Sequence, residues 1–470
     1  MTASKAGSEF GFLLLWAVAF SVVATIVLQE MAARMGIVTG DGLSQALKSS
    51  LTNRLARFCV LGLVLLAILV GNAAYQTGNI LGAASGVKAL ATQSEQEPAN
   101  RLNEVAVADV AKDSNWLNPN SRLFQDGLVL LVAAIALSVI WIGRFDLLRN
   151  LLSMLVALMS LLFIYAAVRS GPSWPDVASG FVPRIPTGGQ WIVIGIIGTT
   201  VVPYNLFLHA SAAAQQWKVE PEGPDADKLY RRAITNSRLD TVVSVVLGGL
   251  VTCAILVTAS VAFHSVGPDG VATSIHGKQI AAHDVAIQLE PALGRGAKLV
   301  FAVGLFAAGL TSAITAPVAA GFAVSGCFGW TGKLEDWRLK ATATIVVLAG
   351  VVFAIMFGKS PVQTIILAQV ANGLLLPIIA VLLFMMVNQT ELMRQYRNRK
   401  LTNALGVIVI LIASLIAIRQ FYFVGQTVYK MFQPAQEARL IDLDRSEPTV
   451  LASASAAVDS RKEKATGKKK

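Results

Sequence analysis

Charge is scarce in this chain. Asp, Glu, Lys and Arg make up 14% of its 470 residues, against 54% hydrophobic residues. A soluble domain carries about a quarter charged residues, so that shortage excludes an ordinary soluble globular protein. Cysteine is also rare. Cys59, Cys253 and Cys327 stand far apart in or beside apolar runs, which excludes a disulfide framework or a zinc knuckle and reads as buried thiols. The four histidines are scattered. His264, His276 and His283 lie at a span end or in a loop, and the loop pair with Asp284 reads as solvated rather than as a metal site. No nucleophile–base spacing and no phosphate loop (GxGxxG or GxxxxGK[ST]) occurs, which excludes the enzyme classes built on them and leaves no catalytic residue or cofactor site to assign. A secretory cleavage site is missing too, because the first apolar run continues as a full span.

What the chain has instead is apolar runs of about 20 residues, each long enough to cross the hydrocarbon core as a helix. Ten are legible, near 10–29, 58–83, 125–143, 147–168, 189–216, 241–263, 297–328, 341–358, 362–387 and 402–420. The long polar loops fall at about 87–124 and 264–294, and GKQIAAHDVAIQL in the second has the pattern of a short surface helix. A transmembrane domain over 1–420 is followed by a polar, basic tail over 421–470, whose SRKEKATGKKK end reads as disordered. The net charge of +11 therefore belongs to loops and tail, and indicates a bilayer rather than nucleic acid as partner. No obligate protein partner is implied. One set of alternate loops carries Arg34, Lys48, Arg54, Arg57, Arg144, Arg149, Lys218, Lys228, Arg231, Arg232, Arg238, Lys333, Arg338, Lys340, Arg394, Arg397, Arg399 and Lys400. The opposite loops are longer yet less basic, so the first set faces the cytoplasm of a multi-pass cell-membrane protein and the N-terminus lies outside.

The run at 189–216 is interrupted by GTTVVPYN, residues 198–205. Pro203 cannot donate its amide and Gly198 loosens the turn before it. A simple proline kink satisfies that much and needs no function. Thr199, Thr200, Tyr204, Asn205 and His209, however, place polar groups at membrane depth, where each needs a partner or a cavity. The functional reading is a discontinuous helix whose unwound carbonyls and half-helix ends make a site at mid-membrane.

GIIGTTVVPYNLFLHAS resembles the sixth helix of the NRAMP family of divalent-metal transporters. LLLWAVAFSVVATIVLQEMAARMGIVTGDGL is similar to that family's second helix, GLFAAGLTSAITAPVAAGF to its eighth, and AQVANGLLLP, with Gln369, Asn372 and Pro377, to its tenth. The resemblance runs to about residue 420. It implies an all-α LeuT-type fold of two inverted five-helix repeats plus an eleventh helix, of which the ten visible spans are helices two to eleven. It also implies alternating access of a divalent cation of the magnesium, manganese or iron class, with Thr199, Thr200, Val202, Tyr204 and Gln369 at the ion and Asn205, His209, Gln76, Asn79 and Asn372 as polar lining.

Departures from the pattern matter as much. Val202 stands where transition-metal members have a methionine, so the soft thioether is gone. What remains is the carbonyls of Thr199 and Val202, the threonine hydroxyls and the Gln369 amide. Tyr204 replaces the motif's first histidine, while His209 keeps the later one. An oxygen-rich set suits hard ions, which keep part of their water, and resembles the family's magnesium-transporting branch; a retuned manganese site is the alternative. Alignment on GNILGA puts the acidic pair of proton-coupled members at the neutral Gln76 and Asn79, so that relay is absent, and the two amides are also explained by interhelical hydrogen bonding. MTASKAGSEFGFLLLW is similar to the stretch after the family's first-helix DPGN motif, which implies that the unwound centre and inner half of that helix lie before Met1. Two other readings stay open: a transporter of a small organic solute on the same fold, and a truncated, non-transporting relic or sensor.

Overall fold

A computed structural model describes residues 1–91, 121–143, 146–219, 225–266, 272–274, 285–358 and 361–432. Among the described residues ten helical segments are long and apolar enough to cross a membrane, and they correspond to the ten spans read from hydropathy. The first pass joins α1 (Thr2–Phe10) to α2 (Leu15–Thr39) through a 3-10 turn at Gly11–Leu14. Then come α3 (Leu43–Ser50), α4 (Arg54–Ala91), α5 (Arg122–Ile142), α6 (Asp146–Arg169) and the short α7 (Trp174–Ser179). The interrupted pass is α8 (Gln190–Thr200) followed by α9 (Pro203–Gln216). α10 (Ala226–Phe263) leads into a small antiparallel hairpin of β1 (His264–Val266) and β2 (Ala272–Ser274). α11 (Glu290–Leu293), α12 (Ala297–Phe328), α13 (Trp337–Phe357), α14 (Pro361–Asn388), α15 (Thr390–Met393) and α16 (Lys400–Phe432) complete the chain. It divides into two units, Met1–Ala417 and Ile418–Lys470, and the second is described only over 418–432.

Burial sorts the helices. Leu66, Leu131, Leu161, Leu247 and Leu411 are exposed on the outer faces of α4, α5, α6, α10 and α16, which is where lipid replaces protein as the apolar partner. The interrupted pass is the most enclosed: 72% of its apolar window is buried, against 22% for the passes at 150–169 and 400–419. The helix that carries the break is therefore the central one.

Several boundaries differ from the hydropathy reading. α1 is a separate helix, and Met1 packs against the apolar core. Loop charge still gives α2 its direction, because the chain turns at Gly11 beside His264, at the far end of α10. Gly11 has φ +57°, and a Cβ there would fall 2.9 Å from the His264 ring; glycine meets both demands. Cys59 is exposed and Cys253 partly so, while only Cys327 is buried, because Cys59 lies on the outer face of α4 with Leu55 and Phe58. α10 begins fifteen residues before 241, and α16 continues to Phe432. Of GKQIAAHDVAIQL, residues 277–284 lie outside the described residues, as do His276 and the 433–470 tail. Its end, Ala286–Leu289, is a 3-10 turn with Ala286 and Leu289 buried.

The largest departure is Arg34. It is not a loop residue but lies buried in α2, as does Glu30. Arg34 Nε and Nη2 each donate to the Glu30 carboxylate at 3.1 Å, and Arg238 Nη2 from α10 donates to it at 2.7 Å. Arg34 also donates to the Tyr396 carbonyl and to Asn398 Oδ1, tying α2 and α10 to the segment after α14. A hydropathy window sees these charges as the end of a span, whereas pairing lets the helix run on. Removing one partner of a buried pair leaves an uncompensated charge at a cost of about 3–5 kcal/mol. Glu30→Ala is expected to lose stability of that order, read as a lower thermal unfolding midpoint of the detergent-purified protein.

Candidate functional site

The sequence breaks its own helix at residues 201 and 202. Val201 has φ −98°, ψ 78° and Val202 φ −86°, ψ 122°, both outside the helical range. The Val201 amide still closes on the Ile197 carbonyl at 2.8 Å. The amide that would close on Thr199 belongs to Pro203, which has no N–H. Pro203 is the first residue of α9, where its fixed φ is favourable. Thus one proline both releases the Thr199 carbonyl and starts the next helix. The negative end of the α8 dipole and the positive end of the α9 dipole meet here, each worth about half an elementary charge.

Four helices surround the break. On one side α14 crosses α8 at two glycines: a Cβ at Gly198 would stand 1.9 Å from the Gln369 carbonyl oxygen and 2.7 Å from the Gly373 nitrogen. Small residues permit that backbone approach in a membrane. The Gln369 side-chain oxygen accepts the Thr2 hydroxyl of α1. On the other side Tyr75 of α4 reaches the side chains of Thr199 and Tyr204, and the two tyrosine rings meet edge to face at 5.5 Å. Thr25 of α2 donates to the Ser21 carbonyl at 2.7 Å and lies 3.4 Å from the Thr200 carbonyl.

The candidate residues fall into three groups. Thr199 and Tyr204 are at the break, joined through Tyr75, and Gln369 lies against α8 at Gly198. Thr200 and Val202 are there too, but part of their oxygen capacity is committed: the Thr200 hydroxyl donates to the Ile196 carbonyl at 2.9 Å, and the Val202 carbonyl accepts the Asn205 amide at 3.0 Å. The Val202 side chain is buried in the apolar core. A third group is spent elsewhere. His209 Nε2 pairs with Thr241 Oγ1 at 3.0 Å between α9 and α10. Gln76 donates to the Ala313 carbonyl at 2.9 Å, and Asn79 donates to Gln76 at 3.3 Å, so these amides pin α4 to α12.

Thr2, Tyr75 and Asn72 are additions that sequence reasoning missed. Asn72 is 1% exposed, and neither its nitrogen nor its oxygen has a hydrogen-bond partner among the described residues; the same holds for the Asn372 nitrogen. Each such orphan costs about 1–3 kcal/mol. Asn72, Gln76 and Asn79 stand at i, i+4 and i+7 on one side of α4. Among the described residues no cluster of three His, Cys, Asp or Glu side chains forms, and the oxygens named at the break are carbonyl, hydroxyl and amide oxygens.

Known proteins agree with this geometry. Residues 1–99 and 121–422 match the family described as Natural resistance-associated macrophage protein-like, Nramp. The chain belongs to the Nramp family. Among Nramp relatives, the divalent metal cation transporter MntH 1 of Pseudomonas aeruginosa is 29% identical over 412 residues, covering 86% of this chain and 83% of its own. A mutant manganese transporter of Eremococcus coleocola superposes with a TM-score of 0.66 at 22% identity, covering 96% of this chain and 88% of that one. MhsT, solved with L-phenylalanine, gives 0.55 at 16% identity over 88% and 94%. The architecture is thus the all-α LeuT-type transporter fold, and the chain is a multi-pass membrane protein.

The Gly198 crossing carries a direct expectation. Gly198→Ala puts a methyl group against backbone, so α8 and α14 must separate, and overpacking of this kind costs about 1–3 kcal/mol. A lowered unfolding midpoint checks it; a parental midpoint contradicts the close approach.

Proposed function

We propose that the protein is a divalent metal cation transporter that works by alternating access around the 201–202 break, prefers hard ions of the magnesium class, and moves them without protons. The observation that carries this reading is the Thr199 carbonyl released by Pro203 inside the most enclosed pass, with Tyr75, Tyr204 and Gln369 around it. The names of the Nramp relatives, a divalent metal cation transporter and a manganese transporter, support the substrate class. Hard-ion preference is supported by a donor set of carbonyl, hydroxyl and amide oxygen with an apolar valine at 202, since such oxygens suit hard cations and offer no thioether to soft ones. The groups named at the break are neutral, and a dication held by neutral oxygen keeps part of its water more cheaply than it sheds it.

Proton-free movement is supported by Gln76 and Asn79, which cannot titrate, and by the engagement of Glu30 with two guanidinium groups. Uptake into proteoliposomes across magnesium, manganese and calcium, with a pH dye inside, tests the whole reading. Saturable uptake is the expected result, and absence of uptake by folded protein overturns it.

Two narrower outcomes follow. Val202→Met supplies a soft ligand and is expected to raise manganese or cadmium uptake relative to magnesium by about tenfold, the worth of 1.4 kcal/mol. An unchanged ratio means that this position does not set softness. Magnesium entry should leave the internal pH flat, and acidification in proportion to uptake would reveal a carboxylate relay.

A further inference from the structure

Two helix ends at one face of the membrane carry aromatic and basic side chains that the break does not use. α5 ends at Ile142 and α13 begins at Trp337, and loop charge puts both ends on the cytoplasmic side. They are tied together there: Trp141 Nε1 donates to Thr344 Oγ1 at 3.1 Å, and Lys340 Nζ donates to the Trp141 carbonyl at 2.9 Å. Each tryptophan ends an outward apolar stripe. Trp337, Ile345, Leu348 and Val352 are exposed along one side of α13, and Leu130, Leu131 and Trp141 along one side of α5. Trp141 is 50% exposed and Trp337 66%, the placement of amphipathic rings at headgroup depth. Cations lie against these rings. The Lys340 ammonium is 5.9 Å from the Trp141 centroid, and the Arg338 guanidinium is 5.5 Å from that of Trp330 and 5.9 Å from that of Trp337. Ring contact of this kind consumes no N–H group. Among the described residues neither cation has a carboxylate within 4 Å and the Arg338 side chain makes no hydrogen bond, while Lys340 spends one of its three N–H groups on α5. The adjacent Asp336 carboxylate is occupied at the helix start, accepting the Arg338 amide at 3.0 Å and the Thr331 hydroxyl at 2.9 Å. Lys333 and Glu335 in the same turn are both exposed and cancel in charge.

From this arrangement we infer that the inner ends of α5 and α13 form a binding site for an anionic phospholipid of the cytoplasmic leaflet, with Arg338 and Lys340 on its phosphate. A guanidinium meets two phosphate oxygens at once, and an ammonium adds a point charge beside it. Tryptophan rings hold both cations at headgroup depth without neutralising them. The acyl chains of the same lipid cover the outward stripes of the two helices. Charge complementarity selects the lipid class: an anionic headgroup brings a net negative charge to two unpaired cations, whereas a zwitterionic one brings its own ammonium with its phosphate. The site is independent of the ion at the break and stands whether or not the chain transports.

The test titrates phosphatidylglycerol or phosphatidylcholine into detergent micelles of the full chain and follows the thermal unfolding midpoint, for the parent, Arg338→Gln and the double variant Arg338→Gln/Lys340→Gln. Phosphatidylglycerol should raise the parent's midpoint more than phosphatidylcholine does. The phosphatidylglycerol needed for half of that rise should increase about fivefold in Arg338→Gln and more than about tenfold in the double variant, as expected for losing one and two basic residues beside an anionic headgroup. Equal responses to the two lipids in the parent, or variants that respond as the parent does, overturn the site. A rise of the same size with inorganic phosphate overturns the lipid as its occupant. Should the variants fail to fold, phosphatidylglycerol with a photoreactive headgroup decides the matter in the parent. Crosslinks are expected at 141–143 and 330–340 and should be displaced by unlabelled phosphatidylglycerol but not by phosphatidylcholine; crosslinks confined to other segments overturn the site.

Discussion

Lipid cannot hydrogen-bond to a peptide, and the rest of this structure follows from that constraint. An unbroken helix satisfies itself; a helix with proline at 203 cannot, since the Thr199 carbonyl has lost its donor. The chain answers by burying the break at its centre and surrounding it with hydroxyl groups from α1, α2 and α4 and the Gln369 amide oxygen from α14. Glycines at 198 and 373 bring the backbones close enough for that enclosure. The same requirement shapes the inner end, where the buried Glu30 and Arg34 pair with one another and with Arg238, Tyr396 and Asn398.

Much of this was legible in the sequence. Ten spans, the break and its polar flank stand out because hydropathy and proline act locally. Other features are set by tertiary partners. Glu30 and Arg34 look like the end of a span until Arg238 and the 396–398 segment are placed beside them. Gln76 and His209 look like lining residues until Ala313 and Thr241 claim them. Asn72 lies in a run of small apolar residues, and only its burial without a partner singles it out. α1 was hidden for a different reason: TASKAGSEF is mostly polar and precedes the apolar run, so hydropathy does not register it as a helix, and one positive-φ glycine separates it from α2.

The roles of the amides divide accordingly. A bonded amide such as Gln76 is structural glue, worth about 1 kcal/mol. An unbonded one such as Asn72 costs the fold about 1–3 kcal/mol per buried orphan atom. In the proposed transporter the neutral oxygens at the break offer a dication partial charge rather than a full countercharge. Transport needs binding that can be undone, and a site of this composition is suited to it.

The most direct measurement of the central claim is anomalous scattering from crystals grown with manganese. The account predicts a peak within about 2.5 Å of the Thr199 carbonyl oxygen, between Tyr204 and Gln369. A manganese peak confined to other sites, with the break free of scattering at saturating ion, would contradict it.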